Sequence, residues 1–221
     1  MVNDRNQLNS TVYVYVATFD DSVEVRDVQP AIRNEAVQQC GDLLTKQQRY
    51  CVWLLLDYAL HERFGKSVGE GNFTVEPTGK WKCDNGVCFS LTHSGHVVAV
   101  AVNNDEVGVD LEAVSSFASH ANDGKFFERV LTDTETIEFA KLSPEQQAKA
   151  LAELWTRKES LFKLNGGANF VPKLIDTAVA NSQCQMLEID GALYALAVAT
   201  ERACNVELKV IKTSDFMNNI I

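Results

Sequence analysis

The chain has 221 residues, 46% of them hydrophobic and 23% charged, which is close to globular averages and excludes a long disordered chain. Thirty acidic residues against twenty basic ones give a net charge of −10, which disfavours a general nucleic-acid binder because that role needs a basic face. The longest apolar run, Val97 to Val102, is strand-sized and far short of the roughly 18 residues that cross a bilayer, so no nucleic acid and no membrane is expected among its partners.

The N-terminus lacks the uninterrupted apolar stretch of a signal peptide. The six cysteines form no CxxC pair, and a chain of this length needs no staples to build a core. Free thiols in a reducing, cytoplasmic compartment are therefore expected.

Thr11 to Ala17 alternates β-branched and aromatic residues and reads as a strand. A helix is expected over about 31–40. Thr45 and Gln48 have capping-box spacing for a helix over about 46–63, whose apolar positions Cys51, Leu54, Leu55, Tyr58 and Ala59 follow the helical period. Gly65 stands just past its end. Turns are expected to dominate 66–85. Val87 to Thr92 reads as a strand interrupted by His93-Ser94-Gly95, Val97 to Val102 as a strand apolar on both faces, and Glu106 to Glu112 as a third.

Residues 113–124 read as a loop, 125–131 as a short helix, and Thr132 with Glu135 as a capping box opening a helix to about 141. Ser143-Pro144-Glu145-Gln146 is a stronger start signal, for a helix running to about Leu164 and ended by Gly166-Gly167. Strands are expected at about 175–180, 185–189, 192–199 and 205–212. The class is α+β, in two similar α+β subdomains divided at 1–104 and 105–221. Each has a strand, then a helix, then further strands, without a repeat in the sequence itself.

The strand 106–112 carries the chemistry. Alternation sends Val107, Val109 and Leu111 one way and Glu106, Gly108, Asp110 and Glu112 the other, so Asp110 and Glu112 share a face about 7 Å apart. On the helix 144–164, Leu151, Trp155, Glu159, Phe162 and Lys163 share one stripe. Glu159 thus lies on an apolar stripe and needs a partner, either Lys163 one turn on or a cation shared with Asp110 and Glu112. Carboxylates 4 Å apart repel by about 4 kcal/mol per pair at an effective dielectric of 20. An oxygen-only ligand set that relieves this favours Mg²⁺, whose shell is commonly completed by substrate phosphates. The same residues also suit a half-exposed strand and an ordinary helix salt bridge.

Val107-Gly108-Val109-Asp110-Leu111-Glu112 followed by Trp155-Thr156-Arg157-Lys158-Glu159-Ser160-Leu161-Phe162-Lys163 resembles the paired signature of the 4′-phosphopantetheinyl transferases of the Sfp type. Upstream, Phe89 to Gly95 is similar to that family's strand ending in SHSG, with Thr92 in place of the serine, and Gly79-Lys80 is similar to its GKP element, with Trp81 in place of the proline. The resemblance covers about residues 79–167. It implies a pseudo-twofold pair of α+β subdomains. It also implies an enzyme that moves the phosphopantetheine arm of coenzyme A to a serine of an apo acyl, peptidyl or polyketide carrier protein, releasing adenosine 3′,5′-bisphosphate.

By that resemblance Asp110, Glu112 and Glu159 hold Mg²⁺, Lys163 neutralises phosphate charge, and Glu159, directly or through a water, is the base for the serine hydroxyl. His93 and Arg49 contact the 3′-phosphate, Lys80 lies by the adenine and its phosphates, and Thr92 and Lys158 belong to the same coenzyme A-binding set. Only Arg33 stands where the family carries a basic stretch before the first long helix. A monomer is expected, because the pseudo-dimer is built into one chain.

Two further readings compete. One is a non-catalytic coenzyme A or carrier-protein binding module. The other is a zinc-binding module using Cys83, Cys88, His93 and His96, whose spacing is loose. Ser90 and Ser94 flank His93, but no G-x-S-x-G elbow is present, which argues against a hydrolase.

Overall fold

In the computed structural model the described residues are 10–120, 123–167, 169–178 and 180–217. The first element, β1 (Thr11–Thr18), leads to helices α1 (Ala31–Gln38) and α2 (Leu43–Phe64). A hairpin of β2 (Phe73–Val75) and β3 (Trp81–Cys83) precedes the strands β4 (Cys88–Ser94), β5 (Val97–Asn103) and β6 (Val107–Ala113). A 3₁₀ helix (Val114–His120), α3 (Gly124–Val130), α4 (Asp133–Phe139) and α5 (Pro144–Asn165) follow. A second 3₁₀ turn (Pro172–Leu174) leads to β7 (Ser182–Ile189), β8 (Ala192–Thr200), β9 (Asn205–Ile211) and α6 (Thr213–Met217).

The main sheets have the orders β4-β5-β1-β9 and β6-β8-β7. Strand periodicity dictates how they stack. Tyr15 and Ala17 of β1, with Val98, Val100 and Val102 of β5, pack under α2, while Val12, Val14, Val16, Val97, Ala99 and Ala101 face the second sheet. There they meet Val107, Val109, Leu111, Leu196 and Val198. The opposite face of the second sheet, through Ala195 and Ala199, packs against α5. The layers therefore run α2, first sheet, second sheet, α5. This explains why β5 is buried at every position: both of its faces are covered.

The two halves repeat one topology. β1-α2-β4-β5 and β6-α5-β7-β8 each run strand, 22-residue helix, hairpin, with the first strand antiparallel to the hairpin's second arm. The last strand crosses back: β9 pairs parallel with β1, so the first sheet takes its edge from the C-terminal half of the chain.

Local signals explain most boundaries. Helix α5 starts at a complete capping box of Ser143 and Gln146 with proline in its first turn, and ends at Gly166 in the left-handed region. The Thr132–Glu135 capping box opens α4. Four expectations need correction. The cap of α2 is Asp42, whose carboxylate accepts from Thr45 N, because an aspartate one turn ahead of the predicted start satisfies the same orphan amides. The stretch 66–85 contains the β2–β3 hairpin. The described part of 175–180 forms no strand, its Ile175 N bonding instead to the 3₁₀ turn at Pro172 O. The expected break at His93 comes two residues later, at Gly95, so His93 belongs to β4.

One glycine sets how closely α5 approaches β6. A Cβ built on Gly108 would lie 2.0 Å from Ser160 O and 2.6 Å from Leu164 N, both backbone atoms of α5. Gly108→Ala should force the helix off the sheet and destabilise the protein by about 3 kcal/mol, the upper end for an overpacked core, measured by denaturant unfolding. An unchanged midpoint would show that the helix can shift at no cost.

Candidate functional site

The packing of α5 on β6 brings Asp110 and Glu112 together with Glu159. One carboxylate oxygen from each lies within 4.8 Å of the others, the only such group of three acidic, histidine or cysteine residues among the described residues. Each acid is held differently. Asp110 is 2% exposed; its Oδ1 accepts from Thr92 Oγ1 (2.9 Å) and Lys163 Nζ (2.7 Å). Glu112 Oε2 accepts from Ser94 Oγ (3.0 Å). Glu159 Oε2 accepts from Trp155 Nε1 (2.8 Å). Lys163, the alternative partner for Glu159, gives its ion pair to Asp110 across the sheet–helix contact, while the indole one turn back holds Glu159.

The electrostatics follow from crowding like charges out of water. Burial, then Asp110 and Glu159, push the Glu112 carboxyl up to about 7, and burial with Asp110 also raises Glu159. Burial would lower the Lys163 ammonium, but Asp110 and Glu159 outweigh it and hold it above its ordinary value. Asp110 Oδ2 is buried without a hydrogen-bond partner. An unpartnered buried carboxylate oxygen beside two others is an oxygen-only donor set that fits a hard divalent cation.

The carboxylates close one end of a groove of about 620 Å³ between α1, α2, β4 and α5. Its other end is cationic. Arg33 lies with its guanidinium 4.8 Å from the Trp53 ring and 5.3 Å from Trp81, and donates to Arg49 O (2.5 Å). Its Nε is buried and unpartnered, and burial, then Arg49, lower it to about 10. Arg49 donates to Ala36 O (2.8 Å) and lines the same groove. His93 points to this side of β4, and burial, then Lys163 and Arg49, push it down to about 4, so it is neutral near pH 7.

Other expected site residues sit elsewhere. Lys80 donates to Glu106 Oε2 (2.6 Å) and to Leu164 O (2.9 Å) at the end of α5, so its ammonium ties the hairpin to the helix. It borders a neighbouring cavity of about 230 Å³ rather than the cationic groove. Trp81, in place of the family's proline, packs at a tilt against Trp53 (ring centroids 5.2 Å apart) and lies under the Arg33 guanidinium. Lys158 does not join the coenzyme A-binding set. It is fully buried on another face of α5, with Nζ donating to Glu135 Oε2 (2.6 Å), Val130 O (2.9 Å) and Pro172 O (3.0 Å), a brace among α3, α4 and the 3₁₀ turn. The zinc alternative fails on strand parity: Cys88 and His93 point to opposite faces of β4, and His96 pairs with Asp21. Arg33, noted in the sequence for its position alone, gains its place by packing on two tryptophans distant in the chain, and the hold of Trp155 on Glu159 is a contact the sequence reading did not assign. The i, i+4 spacing of Trp155 and Glu159 was the signal available for the second.

Because the folded-state value of Glu112 lies above its ordinary 4.5, its contribution to stability is full below about 4.5 and is lost as pH rises through about 7. In chelator-treated protein, Glu112→Gln should therefore raise the melting temperature at pH 8, with the gain fading at lower pH and absent near 4.5. Thermal melts across that range would check it; an equal gain at every pH would count against charge crowding as the cause.

Residues 106–198, running from just before β6 into β8, match the family model of the 4′-phosphopantetheinyl transferase superfamily. Curated relatives are named as such transferases. The chain is 34% identical over 106 residues to AcpT of Salmonella typhimurium, covering 44% of this chain and 52% of that one. It is 32% identical over 100 residues to gsp of Aneurinibacillus migulanus, covering 45% and 40%. It is 26% identical over 181 residues to psf-1 of Bacillus pumilus, covering 74% and 75%. Against the first two, the chain spans about half or less of the relative's length. The acidic group lies inside the segment that matches the 4′-phosphopantetheinyl transferase superfamily model.

Proposed function

We propose that this protein transfers the 4′-phosphopantetheine arm of coenzyme A to a serine of an apo carrier protein, using Mg²⁺ and releasing adenosine 3′,5′-bisphosphate. The observation that carries the reading is the convergence of Asp110, Glu112 and Glu159, with Asp110 Oδ2 buried and unpartnered, at one end of a groove whose other end is cationic. A dianionic monoester at one end of the substrate and a diphosphate nearer its middle match that order of charge. The names of the relatives point the same way.

In this reading Arg33, Arg49 and His93 hold the 3′-phosphate. Arg33 and Arg49 line one groove with no ion pair to a carboxylate among the described residues, so they gain when an anion arrives, and His93 can then donate from its ring. Asp110, Glu112 and Glu159 hold Mg²⁺, which when bound neutralises the diphosphate and makes its phosphorus easier to attack. Lys163 keeps a second positive charge beside the same phosphates. Glu159, oriented by the Trp155 indole, accepts the proton of the incoming serine directly or through a water. The serine oxygen forms a bond to the pantetheine-side phosphorus as the bond from that phosphorus to the bridging oxygen breaks, and the nucleotide leaves with the bridging oxygen. Positioning and charge neutralisation supply most of such a reaction, so no covalent intermediate on the protein is required.

The six cysteines are free thiols, consistent with work in the cytoplasm, and the duplicated halves suit a monomer. Among the described residues no helix is long and apolar enough to cross a membrane. Coenzyme A, Mg²⁺ and an apo carrier should give a carrier heavier by one phosphopantetheine arm in intact mass spectra. Asp110→Ala and Glu159→Ala should lower the rate by more than about 100-fold, since even residues that only orient metal ligands cost 10–100-fold. Coenzyme A binding without a mass shift on any of several carriers would replace the transferase with a binding module.

A further inference from the structure

The two sheets meet along a line that backbone hydrogen bonds do not span. Strand β6 is an edge strand, and its outward N–H groups face β4 of the other sheet. Three hydroxyls at alternate positions of β4 close that edge. Val109 N donates to Ser90 Oγ (3.0 Å), Leu111 N to Thr92 Oγ1 (3.3 Å) and Ala113 N to Ser94 Oγ (3.2 Å).

A hydroxyl that accepts from an amide directs its own proton elsewhere. Thr92 Oγ1 donates to Asp110 Oδ1 (2.9 Å), and Ser94 Oγ donates to Glu112 Oε2 (3.0 Å). Ser90, opposite Gly108, has no such carboxylate. With Thr92 and Lys163 both on Oδ1, the unpartnered atom of Asp110 is Oδ2. All three hydroxyls belong to buried residues, so water does not compete strongly for these bonds.

We propose that Thr92 and Ser94 are positioning residues for the cation: each fixes one carboxylate of β6 by a bond whose direction is set by the amide clasp on the same hydroxyl. Ser90 performs the clasp alone. This rests on the metal reading above and concerns residues that do not themselves ligate. It separates two roles that the fold combines, joining the halves and aiming the ligands.

The test is Mn²⁺ binding to the whole protein, followed by the electron paramagnetic resonance signal of free Mn²⁺, beside thermal melts of the same samples. Thr92→Val and Ser94→Ala should weaken Mn²⁺ binding by about 10–100-fold, the range for partners of metal ligands. Thr92→Ser should restore it, and Ser90→Ala should lower the melting temperature with Mn²⁺ affinity unchanged. Wild-type affinity in folded Thr92→Val, or an equal loss of affinity in Ser90→Ala, would overturn the proposal while leaving the metal site standing. Should Thr92→Val not fold, Ser94→Ala decides by the same comparison. No Mn²⁺ binding by the wild type would remove the metal reading and this proposal with it.

Discussion

Three carboxylates are drawn together at a sheet–helix junction, and the protein supplies too little positive charge to balance them. Among the described residues Lys163 is the single cation paired with these acids, and it serves Asp110. The remaining support is neutral: two hydroxyls and one indole N–H. At about 4 kcal/mol for each close pair of charges at an effective dielectric of 20, this support falls short. The residual cost shows in the Glu112 carboxyl, pushed up to about 7, and in Glu159, raised above its ordinary value. Such a site fits a divalent cation, which would remove the repulsion that raises the proton affinity.

Several features of the fold exist to make that convergence possible. Gly108 lets the backbone of α5 lie against β6, which brings Glu159 to the level of Asp110. The capping box at Ser143 and the left-handed Gly166 fix where α5 starts and stops. The buried Lys158–Glu135 pair braces the opposite side of the same helix. An unpaired buried lysine would be costly, so this brace holds only while all its acceptors stay in place. The helix is thus located from both sides, and the carboxylate it carries inherits that placement.

Charge is segregated along the groove even though the whole chain carries −10. Arg33 and Arg49 gather at one end without a neutralising carboxylate, and the acids gather at the other. Contact with the faces of Trp53 and Trp81 holds the Arg33 guanidinium where water would otherwise be the better host. A ligand with separated anionic groups experiences this local pattern at close range, where screening of the net charge leaves it largely intact.

Much of the architecture was legible residue by residue. Period-2 alternation placed Asp110 and Glu112 on one face, period-3.6 spacing placed Glu159 on a packed stripe, and the capping signals at Thr132 and Ser143 marked real helix starts. These are properties of a few neighbouring residues, and short-range sterics and hydrogen bonding determine them. Other features depended on pairing between distant segments. The β2–β3 hairpin was hidden in a turn-rich stretch because three-residue strands carry too little pattern. β9, from the C-terminal half of the chain, joins the first sheet at the edge of β1. Lys158 and Glu159 are adjacent in the chain, yet about 100° of helical rotation sends one into a structural brace and the other to the acidic cluster. Sequence alone determined which residues could meet on each face. The stacking of two sheets and two helices decided which did, since burial energy is settled by the partner surface.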